Sequence, residues 1–238
     1  MIHPLILNLE TATNVCSVAL CKGEETVAKR ESDEDRSHGS LLTVFMQEVL
    51  DEAGVKPEEI SAIAVSKGPG SYTGLRIGVS VTKGFAYGLN IPVIGIVTLQ
   101  AMVVAATWHH SVKELQQKHP ETLFCPMIDA RRMEVFTALY DKNRDIVSPV
   151  TATVVGENSF DKELKGNHIL FFGNGADKLS GIIQHPHAHF IQQIQPSAVA
   201  MIPLSLHQYE NRIFEDTAYF EPYYLKDFVA TIPRKKVI

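Results

Sequence analysis

Leu5-Ile6-Leu7-Asn8-Leu9-Glu10 returns, shifted by 119 residues, as Phe124-Cys125-Pro126-Met127-Ile128-Asp129, an apolar hexad closed by an acid near the start of each half of a 238-residue chain. The correspondence continues beyond the acid: Val18-Ala19-Leu20-Cys21-Lys22 falls on Thr137-Ala138-Leu139-Tyr140-Asp141, so each copy adds a second strand, and the later copy turns at Asp141 to Asn143. Self-similarity at a fixed spacing predicts two copies of one sheet-based unit. The expected organisation is a first half over residues 1–118 and a second, reduced half over 119–238 with a C-terminal tail.

Outward from the first hexad, Val15 to Cys21, a Lys22-Gly23 turn and Glu24 to Glu31 complete a three-stranded meander. From Leu41 the apolar residues Leu42, Phe45, Met46, Val49, Leu50 and Ala53 draw one helical stripe, with Ser37 as N-cap and Gly54 as stop. Ile60 to Ser66 reads as a buried strand, Thr73 to Leu89 as a helix, Ile91 to Val97 as a strand and Leu99 to Lys118 as a helix. Alternation of this kind predicts an α/β fold, a mixed sheet covered by helices. The second half offers a strand at Ile169 to Phe172, a helix to about Gln184 and a helix from Ser197 to about Arg212, fewer helices than a full copy needs. Glu221 to Lys226 reads as an extended tail, followed by a basic tip, Arg234-Lys235-Lys236.

With 45% hydrophobic and 21% charged residues and a mean hydropathy of +0.01, the composition is that of a chain with a packed core, not a disordered one. Twenty-two Lys and Arg against 27 Asp and Glu leave a net charge of -5, which does not steer the chain to nucleic acid or anionic membrane; an RNA role is expected to run through a partner. Cys16, Cys21 and Cys125 form no CxxC pair, so neither a disulfide framework nor a zinc knuckle is indicated, and a reducing cytoplasm fits. The opening MIHPLILNLE lacks a basic n-region and a cleavage site and reads as a strand, and no apolar run reaches the length of a membrane helix.

The most informative loop is Ser66-Lys67-Gly68-Pro69-Gly70-Ser71-Tyr72-Thr73-Gly74-Leu75-Arg76-Ile77-Gly78, which joins a strand to a helix. Backbone amides at such a start can hold an anion, making Gly68, Gly70, Ser71 and Thr73 candidate contacts; a tight turn with Ser71 or Thr73 as N-cap accounts for the same residues. The run is neither a Walker loop nor GxGxxG. The helix after it carries Gly74, Gly78, Gly84 and Gly88, and each interior glycine costs about 0.8–1 kcal/mol relative to alanine. Close approach of another helix, internal or a partner's, would offset that cost.

Glu10 and Asp129, each ending the first strand of its half, are expected either to face one another across a cleft, where a metal-bound nucleotide would sit, or to cap turns. Ten histidines raise a metal reading, but no HExxH occurs, and His185-Pro186-His187-Ala188-His189 reads as an exposed loop tract. GxSxG is absent and the cysteines lack a histidine context, so nucleophilic catalysis has no candidate.

Four stretches, KGPGSYTGLRIGVSVTKGFAYG, ILNLETATNVCSVAL, PMIDARRMEVFTALY and EPYYLKD, together resemble the bacterial TsaB (YeaZ) family over essentially the whole chain. The resemblance implies the actin, sugar kinase and heat-shock ATPase fold, built of two ribonuclease-H-like halves. It also implies a non-catalytic subunit in making N6-threonylcarbamoyladenosine in tRNA. The implied partners are a catalytic TsaD-type subunit, a TsaE-type ATPase engaged through the complex and, indirectly, tRNA, with a homodimer when the chain is alone. First-half helices would form the shared interface, here Gly74, Arg76, Ile77, Gly78, Val81, Gly84, Phe85 and Gly88. ATP or ADP at that interface is the one cofactor the resemblance suggests. TsaD-like relatives bind metal through HxxxH; the two histidine positions fall here on Thr98 and Met102, which cannot replace imidazoles, so no metal site is expected. Two departures stand out: Glu10 where Asp is usual, and Lys226 where Arg is common. The competing readings are an ATP-dependent phosphotransferase and a metallopeptidase of the same fold.

Overall fold

The computed structural model describes residues 3–33 and 38–226, so Ser37 and the basic tip at 234–236 lie outside the described residues. The expected meander is β1 (Leu5–Glu10), β2 (Cys16–Lys22) and β3 (Glu25–Ser32), with Gly23 taking the left-handed φ of 63° at the β2–β3 turn. Then come α1 (His38–Ala53), β4 (Ala62–Gly68), α2 (Tyr72–Leu89), β5 (Val93–Val97), α3 (Thr98–Trp108) and α4 (His110–Lys118). The strand order is β3-β2-β1-β4-β5, with β2 antiparallel to both neighbours and β1, β4 and β5 parallel. The second half supplies β6 (Leu123–Asp129), β7 (Glu134–Tyr140), β8 (Ile146–Val154), α5 (Asp161–Leu164), β9 (Ile169–Phe172), β10 (Ala188–Ile191) and α6 (Ala198–Glu210). Its order, β10-β9-β6-β7-β8, is the same from the opposite edge, with the same strand directions. Two ribonuclease-H-like halves with mixed sheets covered by helices therefore make up an actin-like fold.

The second copy is cut down at its crossovers. Where the first half inserts the 16-residue α1, the second has the four-residue α5, and where the first has the 18-residue α2, the second has only a 3-10 turn at Ala176–Lys178. The helix expected up to Gln184 is that turn: Ala176, Leu179 and Ile183 are buried on the sheet, but Gly181 and Pro186 leave too short a stretch to propagate a helix. Ala188 and His189, expected in the loop tract 185–189, instead open β10, which pairs with β9 as an edge strand. The single helix expected over 99–118 breaks at His109, whose extended backbone ends α3 and starts α4. The break has a packing cause: α3 is apolar nearly all round and lies between the two sheets, whereas α4 buries only Val112 and turns outward.

The helices do not respect the sequence midpoint. Ala198, Met201, Ile202 and Leu206 of α6 pack on Ile6, Ala64, Ile94 and Ile96 of the first sheet. Leu99, Met102, Val103 and Val112 of α3 and α4 pack with Phe124, Phe136 and Tyr140 of the second. Residues 1–118 and 119–238 thus each lend helices to the other's sheet, and the Ser17 hydroxyl on β2 accepts a bond from the Ala198 amide at 3.0 Å, tying α6 to the far half.

Candidate functional site: the glycine-bearing helix and the acid turns

The loop between β4 and α2 is shaped by what it must admit. At Ser71 (φ -61°, ψ 122°) the side chain caps α2 by accepting from the Gly74 amide at 3.4 Å, and the Ser71 amide donates to Ala12 O at 2.6 Å. A Cβ on Gly70 would lie 2.2 Å from Ala12 O, one on Gly74 2.0 Å from Thr11 O, and one on Gly78 2.3 Å from Thr11 Oγ1. These three glycines let the turn after β1 press against the start of α2. Gly68, at φ 115°, likewise passes under Tyr223, whose carbonyl oxygen would sit 2.8 Å from a Cβ. The amides of Ser71 and Gly74 are spent within the chain, which favours the turn-and-cap reading over anion binding; Thr73 is exposed at the helix start.

Both acids close turns. Glu10 Oε1 accepts the Ala12 amide at 2.6 Å, and Asp129 Oδ1 accepts the Arg131 amide at 2.6 Å, each carboxylate reaching two residues on at the same place in its half. Their surroundings differ. Asp129 is exposed and pairs with Lys178, and its amide donates to Asn174 Oδ1 at 2.9 Å. Glu10 is fully buried, and its Oε2 has no partner. Burial pushes its carboxyl up to about 7, against the lowering effect of the Ala12 hydrogen bond and of the neighbouring Ser66 and Thr11 dipoles, with the charge of Glu31 adding to the rise. The expectation that the two acids face each other across a cleft is corrected for Glu10: it is sealed beneath its own turn and presents no carboxylate to a ligand.

Along α2 the expected docking residues divide between two faces. Gly74, Leu75, Gly78, Val79, Thr82 and Ala86 are buried toward the sheet. Gly74 and Gly78 therefore leave the outer face on which they were expected, because Thr11 occupies the space above them. Gly84 and Gly88 are exposed, a Cβ at either would meet nothing within 4 Å, and Tyr87 beside them is 86% exposed. Ile77, Val81 and Phe85 are half-buried with Leu41 and Phe45 of α1, and Val44 of α1 stands exposed. The α1–α2 layer accordingly carries an apolar stripe of half-buried side chains beside the bare Gly84 and Gly88, which no described residue covers.

One flank of α2 is already occupied by the chain's own C-terminal segment, a feature that sequence reasoning missed. Arg76 lies 4.4 Å above the Tyr72 ring, Tyr72 stacks on Tyr224 at 4.7 Å, and hydrogen bonding to Tyr224 raises the Arg76 pKa. Lys83 Nζ donates to Ala218 O at 3.0 Å and Phe220 O at 3.2 Å, and the Tyr223 amide donates to Lys67 O at 2.6 Å. Lys67 also pairs with Glu215 at 2.9 Å, and Lys226 pairs with Glu134. Arg76, expected on the partner face, holds this strap. Arg–aromatic complementarity between KGPGSYTGLR and EPYY is the signal that could have found it.

Thr98 and Met102 are both buried in the core, the Met102 methyl lying against Gly173, and among the described residues no three His, Cys, Asp or Glu are placed to hold a metal ion. A family model described as TsaD, tRNA N6-adenosine threonylcarbamoyltransferase, matches residues 28–234. The TsaB protein of Escherichia coli K12, described as a tRNA threonylcarbamoyladenosine biosynthesis protein, is 29% identical over 94% of this chain and 96% of its own. The TsaB of Haemophilus influenzae is 35% identical over 55% of this chain and 51% of its own. The chain belongs to this family, in its TsaB (YeaZ) branch. The solved structure of YeaZ from Pseudomonas aeruginosa, 23% identical, superposes with a TM-score of 0.76 over 93% of this chain and all of that one, which fixes the TsaB fold. In this TsaB-family chain the positions singled out by sequence form a buried structural set (Glu10, Gly68, Gly70, Gly74, Gly78) and an exposed set on the outer face of α2 (Gly84, Gly88).

Proposed function

We propose that the chain is a non-catalytic subunit in the biosynthesis of tRNA threonylcarbamoyladenosine and that it docks a TsaD-type catalytic subunit through the outer face of α1 and α2. The observation that carries the reading is that face: Gly84 and Gly88 with open space above them, exposed Tyr87 and Val44, and half-buried Ile77, Val81 and Phe85. Two bare glycines on an exposed helix face cost helix stability without an internal return, and a second helix packing on them supplies one. The names of the curated relatives support the pathway, and the family model supports kinship with the transferase.

Catalysis is assigned to the partner. Glu10 is sealed in, and Thr98 and Met102 offer no imidazole where the transferase-like relatives bind metal, which counts against the phosphotransferase and metallopeptidase readings. tRNA and a TsaE-type ATPase are engaged through the complex, in the cytoplasm, with ATP or ADP at the subunit interface; alone, the chain pairs with a second copy by the same face. The test is reconstitution: the chain, a TsaD-type subunit and the remaining pathway proteins should form the modified nucleoside, and leaving out either this chain or the TsaD-type subunit should stop it. Threonylcarbamoyl transfer by this chain alone would overturn the assignment.

A further inference from the structure

Five histidines gather at the start of β9 and β10 in the second half, from three separate parts of the chain: His119 after α4, His168 before β9, and His185, His187 and His189 at β10. The His119 and His168 rings stack with centroids 3.6 Å apart, His168 and His187 lie 4.2 Å apart, and His185 and His187 lie 5.1 Å apart. His168 Nδ1 and His189 Nε2 meet at 2.9 Å, so one of the two must carry the proton and the other must accept it. His187 Nδ1 lies 2.9 Å from Leu164 O, and the His187 amide donates to His185 Nδ1 at 3.1 Å. The same residues pin the strands: Leu123 N bonds to His168 O at 2.9 Å and Ile169 N to His187 O at 2.9 Å. Stacked rings whose nitrogens face each other in pairs are not arranged around a common metal position.

We infer that this histidine stack is a proton-sensitive clasp that holds the β10 edge on β9 when its rings are neutral and releases it when they charge. The balance of the contact is electrostatic: the facing nitrogens of His168 and His189 can share one proton but not two. No compensating anion is at hand. The carboxylates on or beside the same elements are Asp161 and Glu163 of α5 and Glu121 after α4; Glu121 pairs with Lys142 at 2.5 Å, and among the described residues no carboxylate forms an ion pair with any of the five rings. The cations on or beside the same elements are Lys118, Lys162 and Lys165, none of which supplies a negative charge to offset a protonated ring. Desolvation first, and then the neighbouring imidazoles, lower the pKa of both His168 and His189. A lowered pKa means that stability is present above about 6.5, the unfolded value, and is lost as pH falls through the folded one.

The test is amide hydrogen exchange of the whole chain at pH 7.5 and pH 5.5, corrected for the intrinsic rate. Whole-molecule melting is unsuitable here, since Glu10 in the first sheet shifts stability in the opposite sense. Amides of Ile169–Phe172 and Ala188–Ile191 should lose about tenfold protection or more at pH 5.5, while those of β1 and β4 do not. His168→Phe, which keeps a ring in the stack but cannot titrate, should abolish that loss; His189→Gln serves the same purpose if the first variant does not fold. Unchanged protection in the wild type, an acid-induced loss that persists in the variant, or a drop in β9 and β10 protection at pH 7.5 on adding EDTA would each overturn the inference, the last by showing a bound metal instead.

Discussion

At the scale of single residues, the four helix glycines separate into two pairs with opposite expected behaviour. Gly84→Ala or Gly88→Ala meets open space and should gain about 1 kcal/mol of helix propensity. Gly74→Ala places a methyl 2.0 Å from the Thr11 carbonyl and should cost about 3 kcal/mol, because only a backbone shift relieves it. Urea denaturation of these three single variants checks the division. Spacing made all four legible as exceptional but could not say which face each occupied, since that depends on the turn after β1 reaching over the helix start. Glu10 was legible only as a strand-ending acid; its burial comes from tertiary packing. With a carboxyl near 7 when folded and an ordinary one when unfolded, stability is fully present below about 4.5 and falls as pH rises through 7. The loss should approach about 3 kcal/mol at pH 8, and Glu10→Gln should remove it while changing little at pH 5. Melting across that pH range for both proteins decides the matter.

At the scale of elements, the strands were the most readable part. Alternating or continuous apolar runs closed by turns set β1 to β7 and β9 within a few residues, and the second copy's identical strand order bears out the repeat read from residues 5–10 and 124–129. Elements whose limits depend on neighbours were not readable: β10 is strand only because β9 offers it an edge, and α3 ends at His109 because it leaves the space between the sheets. The C-terminal strap belongs to the same class. Arg76→Ala removes both the cation–aromatic contact and the tether to Tyr224, so residues 219–226 should become more sensitive to limited proteolysis, while the global melting temperature moves little. Unaltered cleavage would mean that Lys83 and the Lys67 backbone hold the strap without it.

At the scale of the whole molecule, the exchange of α3 and α6 between halves explains how a reduced second copy stays attached: each sheet is covered by a helix from the other half. On the outer α1–α2 face, Val44, Tyr87, Gly84 and Gly88 are exposed and not covered by any described residue, and the central claim is that a partner helix layer closes that face. With a net charge of -5, the isolated chain should bind tRNA weakly and acquire affinity only in complex; tight salt-sensitive binding alone would show an RNA surface of its own. The most direct measurement of the claim is co-elution of the chain with its TsaD-type partner in size-exclusion chromatography, wild type against Gly84→Leu, with melting followed in parallel. The account predicts that Gly84→Leu melts no lower than wild type and fails to co-elute; co-elution at wild-type strength by the folded variant would contradict it.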